Sequence, residues 1–321
     1  MGRASKDKRD MYYRKAKEEG YRARSAYKLL QIDEELDVFT NVTKAVDLCA
    51  APGSWSQVLT AKLPQTPERR IVAVDLQEMA PIAGVVCIQG DITTEKTANE
   101  VIGRLGDVKA ELVICDGAPD VTGLHELDEY VQHQLLLAAL NITTFVLAPG
   151  GTFVTKMFRG PNTPFLVAKS EMFFENVMIM KPKSSRNASM EAFMVCQNFR
   201  PPIGFVASMV DPVCALDDYF PGDGASATIG AVGSSADETK ANVIRSSSFA
   251  PLNDINRKVI RFLACGDLNG YDADMCYDRG DGPTLAPSHP PTQAPYLPVK
   301  ESSSATEEQR KRLREEGEAT A

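Results

Sequence analysis

Three charged residues stand in apolar segments where packing alone does not explain them. Lys156 lies in GTFVTKMF, Glu191 opens EAFMVC, and Lys28 lies in RARSAYKLLQ. Charges flanked this tightly by apolar residues are seldom buried without partners. With Asp116 they are expected to form one cluster of two cations and two carboxylates. A lysine held in such a cluster can assist a reaction of a weakly acidic group as a base or as a positioned cation.

A second set of acids follows the predicted strands of an open sheet. Asp47 lies in VDLCAAPGSW and Asp75 in VAVDL, while Asp91 follows in QGDIT and Asp116 in VICDGAP. In open α/β sheets, ligands bind at the carboxyl ends of the strands. Gly53 opens the helix after Asp47 and lets backbone approach a ligand closely. Asp75 follows Gly53 at the roughly 20-residue spacing from which an acid binds ribose hydroxyls.

We expect Asp91 to lie beside an adenine and Asp116 to face the middle of the cleft. Carboxylates only accept hydrogen bonds, so four of them favour a ligand that is cationic and rich in donors. S-adenosylmethionine has a sulfonium, an ammonium, ribose hydroxyls and an adenine amine. Alternatively, some of these acids cap the next helix, and Asp91 before Thr93 is the first candidate for that role.

Apolar β-rich runs alternate with helix-like segments from Lys44 to Gln197, which is typical of a parallel sheet covered by crossover helices. We predict strands at 44–49, 70–75, 85–89, 110–116, 150–156, 173–180 and 190–197. We predict helices at 25–36, 53–63, 94–105, 124–147 and 162–170.

The loop KPKSSRNAS between the last two strands is too short for the crossover that parallel neighbours need. These two strands are therefore predicted to be antiparallel. The fold class is α/β: a Rossmann-like, S-adenosylmethionine-dependent methyltransferase fold with a seven-stranded, mostly parallel sheet and one antiparallel strand. The G-x-G-x-x-G run is missing, which disfavours a nicotinamide-dependent oxidoreductase.

The charge of the chain is unevenly distributed. The formal net charge is −8, yet residues 1–28 hold ten basic and four acidic side chains, which leaves −14 for the rest. A basic arm on an acidic body is expected where one segment meets phosphates. Tyr12, Tyr13, Tyr21 and Tyr27 add possible stacking surfaces for unpaired bases. The alternative is a solvated helix with charged faces.

The seven cysteines include no C-x-x-C pair and only three histidines accompany them, so we expect neither a metal site nor a disulfide framework. No run approaches the roughly 18 apolar residues that a membrane span needs. The start of the chain has no apolar leader pattern. We expect no membrane association and a cytoplasmic location, with the nucleus as the other default.

With these charged residues the chain resembles the FtsJ-type family of ribose 2′-O-methyltransferases, whose hallmark is a Lys-Asp-Lys-Glu tetrad in this order and spacing. The tetrad matches catalytic positions Lys28, Asp116, Lys156 and Glu191. The family's cofactor-binding positions match Gly53, Trp55, Asp75, Asp91 and Asp116. The resemblance covers roughly residues 1–205, and eight positions in register are far more specific than one short motif.

The resemblance implies an S-adenosylmethionine-dependent RNA methyltransferase in which Lys156 serves the attacking hydroxyl. Asp116 and Glu191 beside it are expected to raise the pKa of Lys156 and so oppose a role as base. The positive charge of Lys28 and the desolvation of Lys156 are expected to lower that pKa. Trp55 is expected to pack on the methionyl part of the cofactor and to donate its backbone amide. The alternative is an aromatic side chain that fills the core.

The segment FLACGDLNGYDADMCYD further resembles the tRNA-directed branch of the family. That implies a tRNA substrate modified in the anticodon loop, with the basic N-terminal arm on the RNA and adapter proteins that direct the choice of site. We expect a monomer or one chain beside one adapter. The alternatives are an rRNA or mRNA-cap 2′-O-methyltransferase, and a catalytically silent RNA-binding scaffold.

Four regions are predicted along the chain. Residues 1–43 form the basic arm and a helix, 44–205 the Rossmann-like core, 206–285 a carboxyl-terminal extension, and 286–321 a disordered Pro-rich and charged tail. Gly, Ala and Ser dominate 221–248, which is predicted to be a flexible insertion. Apolar spacing within 251–280, including Phe262 and Leu263, predicts a helix that docks on the core.

Overall fold

The computed structural model describes residues 10–119, 124–209 and 260–268. The strands are β1 (Lys44–Leu48), β2 (Arg70–Asp75), β3 (Val86–Gln89), β4 (Ala110–Cys115), β5 (Leu147–Phe158), β6 (Phe174–Pro182), β7 (Glu191–Phe199) and β8 (Phe262–Cys265). The helices are α1 (Met11–Glu19), α2 (Ala26–Leu36), α3 (Ser54–Lys62), α4 (Glu95–Leu105), α5 (His125–Val146) and α6 (Thr163–Glu171).

All these strands form one sheet in the order β3-β2-β1-β4-β5-β7-β6-β8. Strand β7 runs antiparallel to β5 and β6, and every other neighbouring pair is parallel. The predicted mostly parallel sheet with one reversed strand is confirmed. Strand order reverses between β1 and β4, and such a switch point opens a crevice at the carboxyl ends of the strands.

The sheet has eight strands rather than the predicted seven. Phe262–Cys265 pairs in parallel with β6, from Ile179↔Phe262 to Pro182↔Cys265. The helix predicted across 251–280 is therefore wrong at these residues. A short apolar run is compatible with either structure, and here the open edge of β6 supplied backbone partners for a strand.

Helices cover both faces of the sheet. Helices α4, α5 and α6 bury one apolar layer, which includes Phe153 and Met194. Helices α2 and α3 bury the other layer, which includes Leu29, Trp55 and Phe193. The central strands are apolar on both faces because neither face meets solvent.

The amino-terminal segment packs on this second layer. Helix α1 begins after Asp10, whose carboxylate accepts from the backbone N–H of Tyr13 at 3.1 Å. Tyr12 and Tyr27 are buried together, with ring centroids 5.5 Å apart. The prediction that these two rings offer stacking surfaces is wrong, because they form a small apolar cluster that docks α1. Tyr13 and Tyr21 remain partly exposed.

Some predicted features lie outside the described residues: the first nine residues of the basic arm, the insertion at 221–248, and the tail at 286–321. In the described part of the chain, no helix is long and apolar enough to cross a membrane.

Candidate active site

The four charged residues predicted to cluster come together at the carboxyl edge of the sheet. The ammonium of Lys28 donates to Oε2 of Glu191 at 2.7 Å. The Lys156 ammonium lies 2.6 Å from Oδ1 of Asp116 and donates to the backbone oxygen of Asp116 at 2.9 Å. It also lies 3.7 Å from Oε2 of Glu191. Two cations and two carboxylates thus alternate in one connected group.

The topology explains this convergence. Asp116 follows directly on β4, and Lys156 lies near the end of the neighbouring β5. Glu191 opens β7, which runs the opposite way, and it stands opposite Phe158 in the register. The beginning of a reversed strand therefore meets the ends of the parallel ones. Lys28 reaches the same edge from the first turn of α2.

Glu191 is held as a carboxylate. Its Oε1 accepts from the hydroxyl of the buried Ser185 at 2.7 Å, which leaves Oε2 for the two lysines. Burial alone raises the pKa of Glu191, but the charges of Lys28 and Lys156 outweigh it and bring the pKa well below its ordinary value. The negative charge that balances the two ammonium groups is therefore maintained.

Lys156 is held as an ammonium ion. Burial favours its neutral form, yet the carboxylates of Asp116 and Glu191 outweigh burial and raise the pKa of Lys156 above its ordinary value. This is the opposition to base function expected from the sequence. The arrangement suits a fixed cation that donates hydrogen bonds better than a group that must first lose a proton.

Gly53 lies at the beginning of α3 with a φ of 104°, a region that favours glycine. A Cβ atom on Gly53 would lie 2.7 Å from Cδ1 of Ile82, 2.9 Å from Nη1 of Arg22 and 3.0 Å from Sδ of Met79. The loop after β1 is thus packed closely at the switch point. The first backbone N–H groups of α3 have no acceptor within the helix, as at any helix start.

Asp75 ends β2 and is fixed by two backbone groups. Its Oδ2 accepts from the N–H of Ala51, and its Oδ1 from the N–H of Gln77, both at 2.9 Å. The side chain stays partly exposed, and each carboxylate oxygen can accept a further hydrogen bond. Asp75 therefore joins the loop after β1 to the end of β2 and retains capacity for ligand hydroxyls.

Asp91 is exposed and forms a local turn. Its Oδ1 accepts from the backbone N–H of Thr93 at 2.9 Å and from the Thr93 hydroxyl at 2.7 Å. Oδ1 of Asp91 therefore has the local structural role that was the alternative to ligand binding. The cap of α4 itself is Thr94.

Trp55 fills the core with its ring. The indole is buried, lies 5.7 Å from the Phe193 ring and donates from Nε1 to the backbone oxygen of Ser25 at 2.9 Å. The expected packing of this ring on a cofactor is wrong, since the α2 side of the sheet encloses it. Only the backbone amide of Trp55 is left for a ligand.

Asp47 also lies inside the protein and not in the crevice. Its Oδ2 accepts from the hydroxyl of Ser56 at 2.6 Å, and the side chain is 1% exposed. Burial raises the pKa of Asp47 to about 7. Of the four acids predicted around the cleft, Asp47 is a buried support of α3, and Asp75, Asp91 and Asp116 remain at the edge.

Two supporting residues were missed from the sequence. Arg22 was counted only as a charge of the basic arm, yet its guanidinium donates to the backbone oxygens of Pro52, Ala80 and Pro81 at 2.8–2.9 Å. Ser185 was assigned only to a polar loop. No local pattern identifies Arg22, because its partners lie 30 to 59 residues away. The partner of Ser185 is Glu191, six residues away, and the two meet because the loop before β7 folds back.

In the described ranges, no three His, Cys, Asp or Glu side chains are arranged to hold a metal ion.

Comparison with known proteins gives a consistent picture. Residues 21–199 match the FtsJ-like methyltransferase family. The chain is 50% identical over 299 residues to a human tRNA (cytidine(32)/guanosine(34)-2′-O)-methyltransferase, covering 93% of this chain and 83% of the human one. It is 46% identical over 307 residues to the Schizosaccharomyces pombe protein of that name, covering 92% and 95%. An AdoMet-dependent rRNA methyltransferase of Neurospora crassa is 41% identical over 213 residues, covering 66% of this chain and 25% of that protein.

Proposed function

The chain belongs to the FtsJ-like methyltransferase family, and we propose that it transfers a methyl group from S-adenosylmethionine to ribose 2′-hydroxyls in the anticodon loop of tRNA. The observation that carries this proposal is the connected cluster of Lys28, Glu191, Lys156 and Asp116 at the carboxyl ends of β4 and β5. The relatives whose names specify nucleotides 32 and 34 align with 92–93% of this chain, which favours these two positions.

The residues at the crevice fit the methyl donor. Asp75 would accept from the ribose hydroxyls, Asp91 from the adenine amine through its second oxygen, and Asp116 from the ammonium group of the donor. The close-packed backbone at Gly53 and the free amides at the start of α3, including that of Trp55, would bind its carboxylate. When bound, S-adenosylmethionine supplies an electrophilic methyl group on a sulfonium.

Lys156 acts on the attacking hydroxyl in this proposal. One N–H of Lys156 donates to the backbone oxygen of Asp116, and the ammonium lies 2.6 Å from Oδ1 of the same residue as an ion pair. Another N–H can reach a ribose oxygen, since the distance of 3.7 Å to Glu191 is too long for a hydrogen bond. That N–H orients the hydroxyl and stabilises the negative charge that develops on its oxygen. Glu191 and Lys28 keep the Lys156 ammonium in place.

We further propose that the basic arm contacts tRNA phosphates and that a separate adapter protein selects the nucleotide. The net charge of +6 on residues 1–28, against −14 elsewhere, supports the first part. The small size of this arm supports the second, because phosphate contacts carry no sequence information. The cytoplasm is the proposed location.

The other candidate substrate is rRNA. The alignment with the N. crassa rRNA enzyme supports it, and the charged cluster serves either RNA equally. That alignment spans 213 residues, whereas those with the tRNA enzymes span 299 and 307, so tRNA is favoured. A silent RNA-binding scaffold would not need the intact cluster of four charges, since burying charged groups carries a desolvation penalty.

The test combines cells that lack the protein with the purified chain. We expect 2′-O-methyl groups at tRNA nucleotides 32 and 34 to disappear from the cells and to return with the unsubstituted gene but not with Lys156→Ala. Loss confined to rRNA would overturn the choice of substrate. Calorimetry with S-adenosylmethionine tests the scaffold alternative, because a scaffold neither binds the donor nor methylates tRNA when an adapter is supplied.

A further inference from the structure

We propose that Gln132 is a positioning residue for methyl transfer, one that fixes the backbone of Asp116–Gly117 against the backbone of Lys156. This inference rests on the function proposed above. The side-chain amide of Gln132 donates from Nε2 to the backbone oxygen of Gly117 and to that of Lys156, both at 3.1 Å. Gln132 is 1% exposed, so both hydrogen bonds are shielded from water.

The sheet itself leaves a gap at this point. Strand β4 ends at Cys115, and its last register partner on β5 is Thr155. Strand β5 continues to Phe158, so the residues after Thr155 have no partner on β4. Because a buried carbonyl without a donor is unfavourable, the end of β5 needs a donor from elsewhere. The Thr155 hydroxyl approaches the Lys156 backbone oxygen at 3.4 Å, and the Gln132 amide donates to it at 3.1 Å. Only the amide also reaches Gly117, so it joins the two backbone segments where the ladder stops.

Packing does not account for a glutamine at this position. Gln132 stands on the buried stripe of α5 with Leu136, Ala139 and Leu140, the helical spacing at which apolar side chains are usual. Its Oε1 atom is buried and has no hydrogen-bond partner in the described part of the structure. A leucine would fill the same stripe without a buried unpaired oxygen. The two carbonyls at the active site are the contacts that only an amide provides.

Gln132 is linked to the reaction through the atoms it holds. The Lys156 ammonium contacts Asp116 at 2.6 and 2.9 Å. Lys156 and Asp116 belong to the two backbone segments that Gln132 joins. Without the amide, the end of β5 can move relative to Asp116, and the Lys156 ammonium moves with it. A displacement of about 1 Å at reacting groups can lower a rate by about 100-fold.

The test compares Gln132→Leu and Gln132→Glu with the control Gln134→Leu. Gln134 stands on the same helix but donates to the Tyr130 hydroxyl at 3.1 Å in a more exposed position. Leucine removes both donors, whereas glutamate keeps the length of the side chain and, when ionised, has no N–H to donate. We expect kcat to fall by about 10-fold to 100-fold in both Gln132 variants. The KM for the methyl donor should change by less than about threefold, since Gly53 and Asp75 are untouched.

A second measurement does not depend on activity. In chain labelled with ¹⁵N-lysine, the Lys156 ammonium signal should shift or broaden in the Gln132 variants and stay unchanged in Gln134→Leu. Fluorescence of Trp55, the only tryptophan, identifies the variants that fold. If Gln132→Leu does not fold, Gln132→Glu carries the test.

A folded Gln132 variant with kcat within twofold of the unsubstituted chain, or with an unchanged Lys156 signal, overturns the inference. If the unsubstituted chain methylates no RNA even when an adapter is supplied, the proposed function fails instead. The NMR comparison then still decides whether Gln132 positions Lys156.

Discussion

Lys28 and Glu191, 163 residues apart in the sequence, form a direct ion pair in the site, with Lys28 Nζ donating to Oε2 at 2.7 Å. Both side chains are nearly buried, at 10% and 13% exposure. Helix α2 is thereby joined to the beginning of β7 by an ion pair, and loss of Lys28 would leave the buried Glu191 with only the more distant Lys156 as a cation. The pair links the amino-terminal segment to the catalytic edge.

Lys28→Met should lower the free energy of unfolding by about 3 kcal/mol, because Glu191 stays buried with only the more distant Lys156 as a cation. Urea denaturation followed by Trp55 fluorescence measures this. The control is Lys62→Met, which removes an exposed pair with Asp33 at 3.4 Å and should cost at most about 1 kcal/mol. Equal losses in the two variants would contradict a special role for the buried pair.

Lys156→Ala should lower kcat by about 1000-fold while the donor still binds, because a fixed cation at the reacting oxygen is lost. Lys156→Arg should retain more activity than the alanine variant, since it keeps a positive charge. Single-turnover methyl transfer gives both rates, and Lys96→Ala on the exposed side of α4 is the control.

The pH dependence of the unsubstituted chain separates two roles of Lys156. Asp116 and Glu191 raise the pKa of Lys156 despite its burial, so a reaction that needs neutral lysine would become about tenfold faster per pH unit between pH 7 and 9. A fixed ammonium predicts no such slope from this group. A tenfold rise per unit that disappears in Lys156→Arg would establish proton abstraction instead.

The core elements were predictable because their periodicity is strong. Apolar runs bounded by turn residues predicted β1 to β7, and most ends agree within two residues, since a buried parallel strand reads as a continuous apolar segment. The four residues of β8 were not predictable in this way. A short run such as Phe262–Cys265 takes its structure from the edge of β6 that it meets.

The charged residues of the site were predictable from the sequence, and the residues that hold them in place were not. Lys156 and Glu191 stood out because charge in an apolar strand needs partners. Asp47 looked like Asp75 in the sequence, and only burial beside Ser56 separates them. Gln132 gave no signal, because its two partners are backbone oxygens that tertiary packing places near it.

Asp47→Asn should change how stability depends on pH. Burial raises the pKa of Asp47 to about 7 in the folded chain, above its value in the unfolded chain. The folded state therefore binds the extra proton, and stability from this group is complete below about pH 4 and is lost as pH rises through about 7. Asparagine cannot ionise, so the free energy of unfolding of the variant minus that of the original should be about 2 kcal/mol larger at pH 8 than at pH 5.

Urea denaturation of both chains at the two pH values gives this double difference. Asp107→Asn, at an exposed position after α4, is the control and should show no comparable dependence. A double difference near zero for Asp47→Asn would mean that Asp47 is ionised throughout this range.

Arg22→Met should weaken binding of the methyl donor rather than slow the transfer itself. The guanidinium joins the backbone oxygens of Pro52, Ala80 and Pro81 and so holds two loops around Gly53. Loss of these hydrogen bonds should raise the donor Kd about tenfold, equivalent to about 1.4 kcal/mol, with kcat at saturating donor changed by less than about threefold. Calorimetry gives the Kd.

The matched control for this change is Arg70→Met. Arg70 also donates to backbone oxygens, those of Pro67 and Arg69, but it is exposed at the beginning of β2, at the far end of the strand from Asp75. Its donor Kd should stay within twofold of the unsubstituted value. If Arg22→Met binds the donor as tightly as Arg70→Met does, the loops around Gly53 hold their shape without the guanidinium. In that case the role of Arg22 is to contact phosphates of the RNA, and Arg22→Met should raise the KM for tRNA instead.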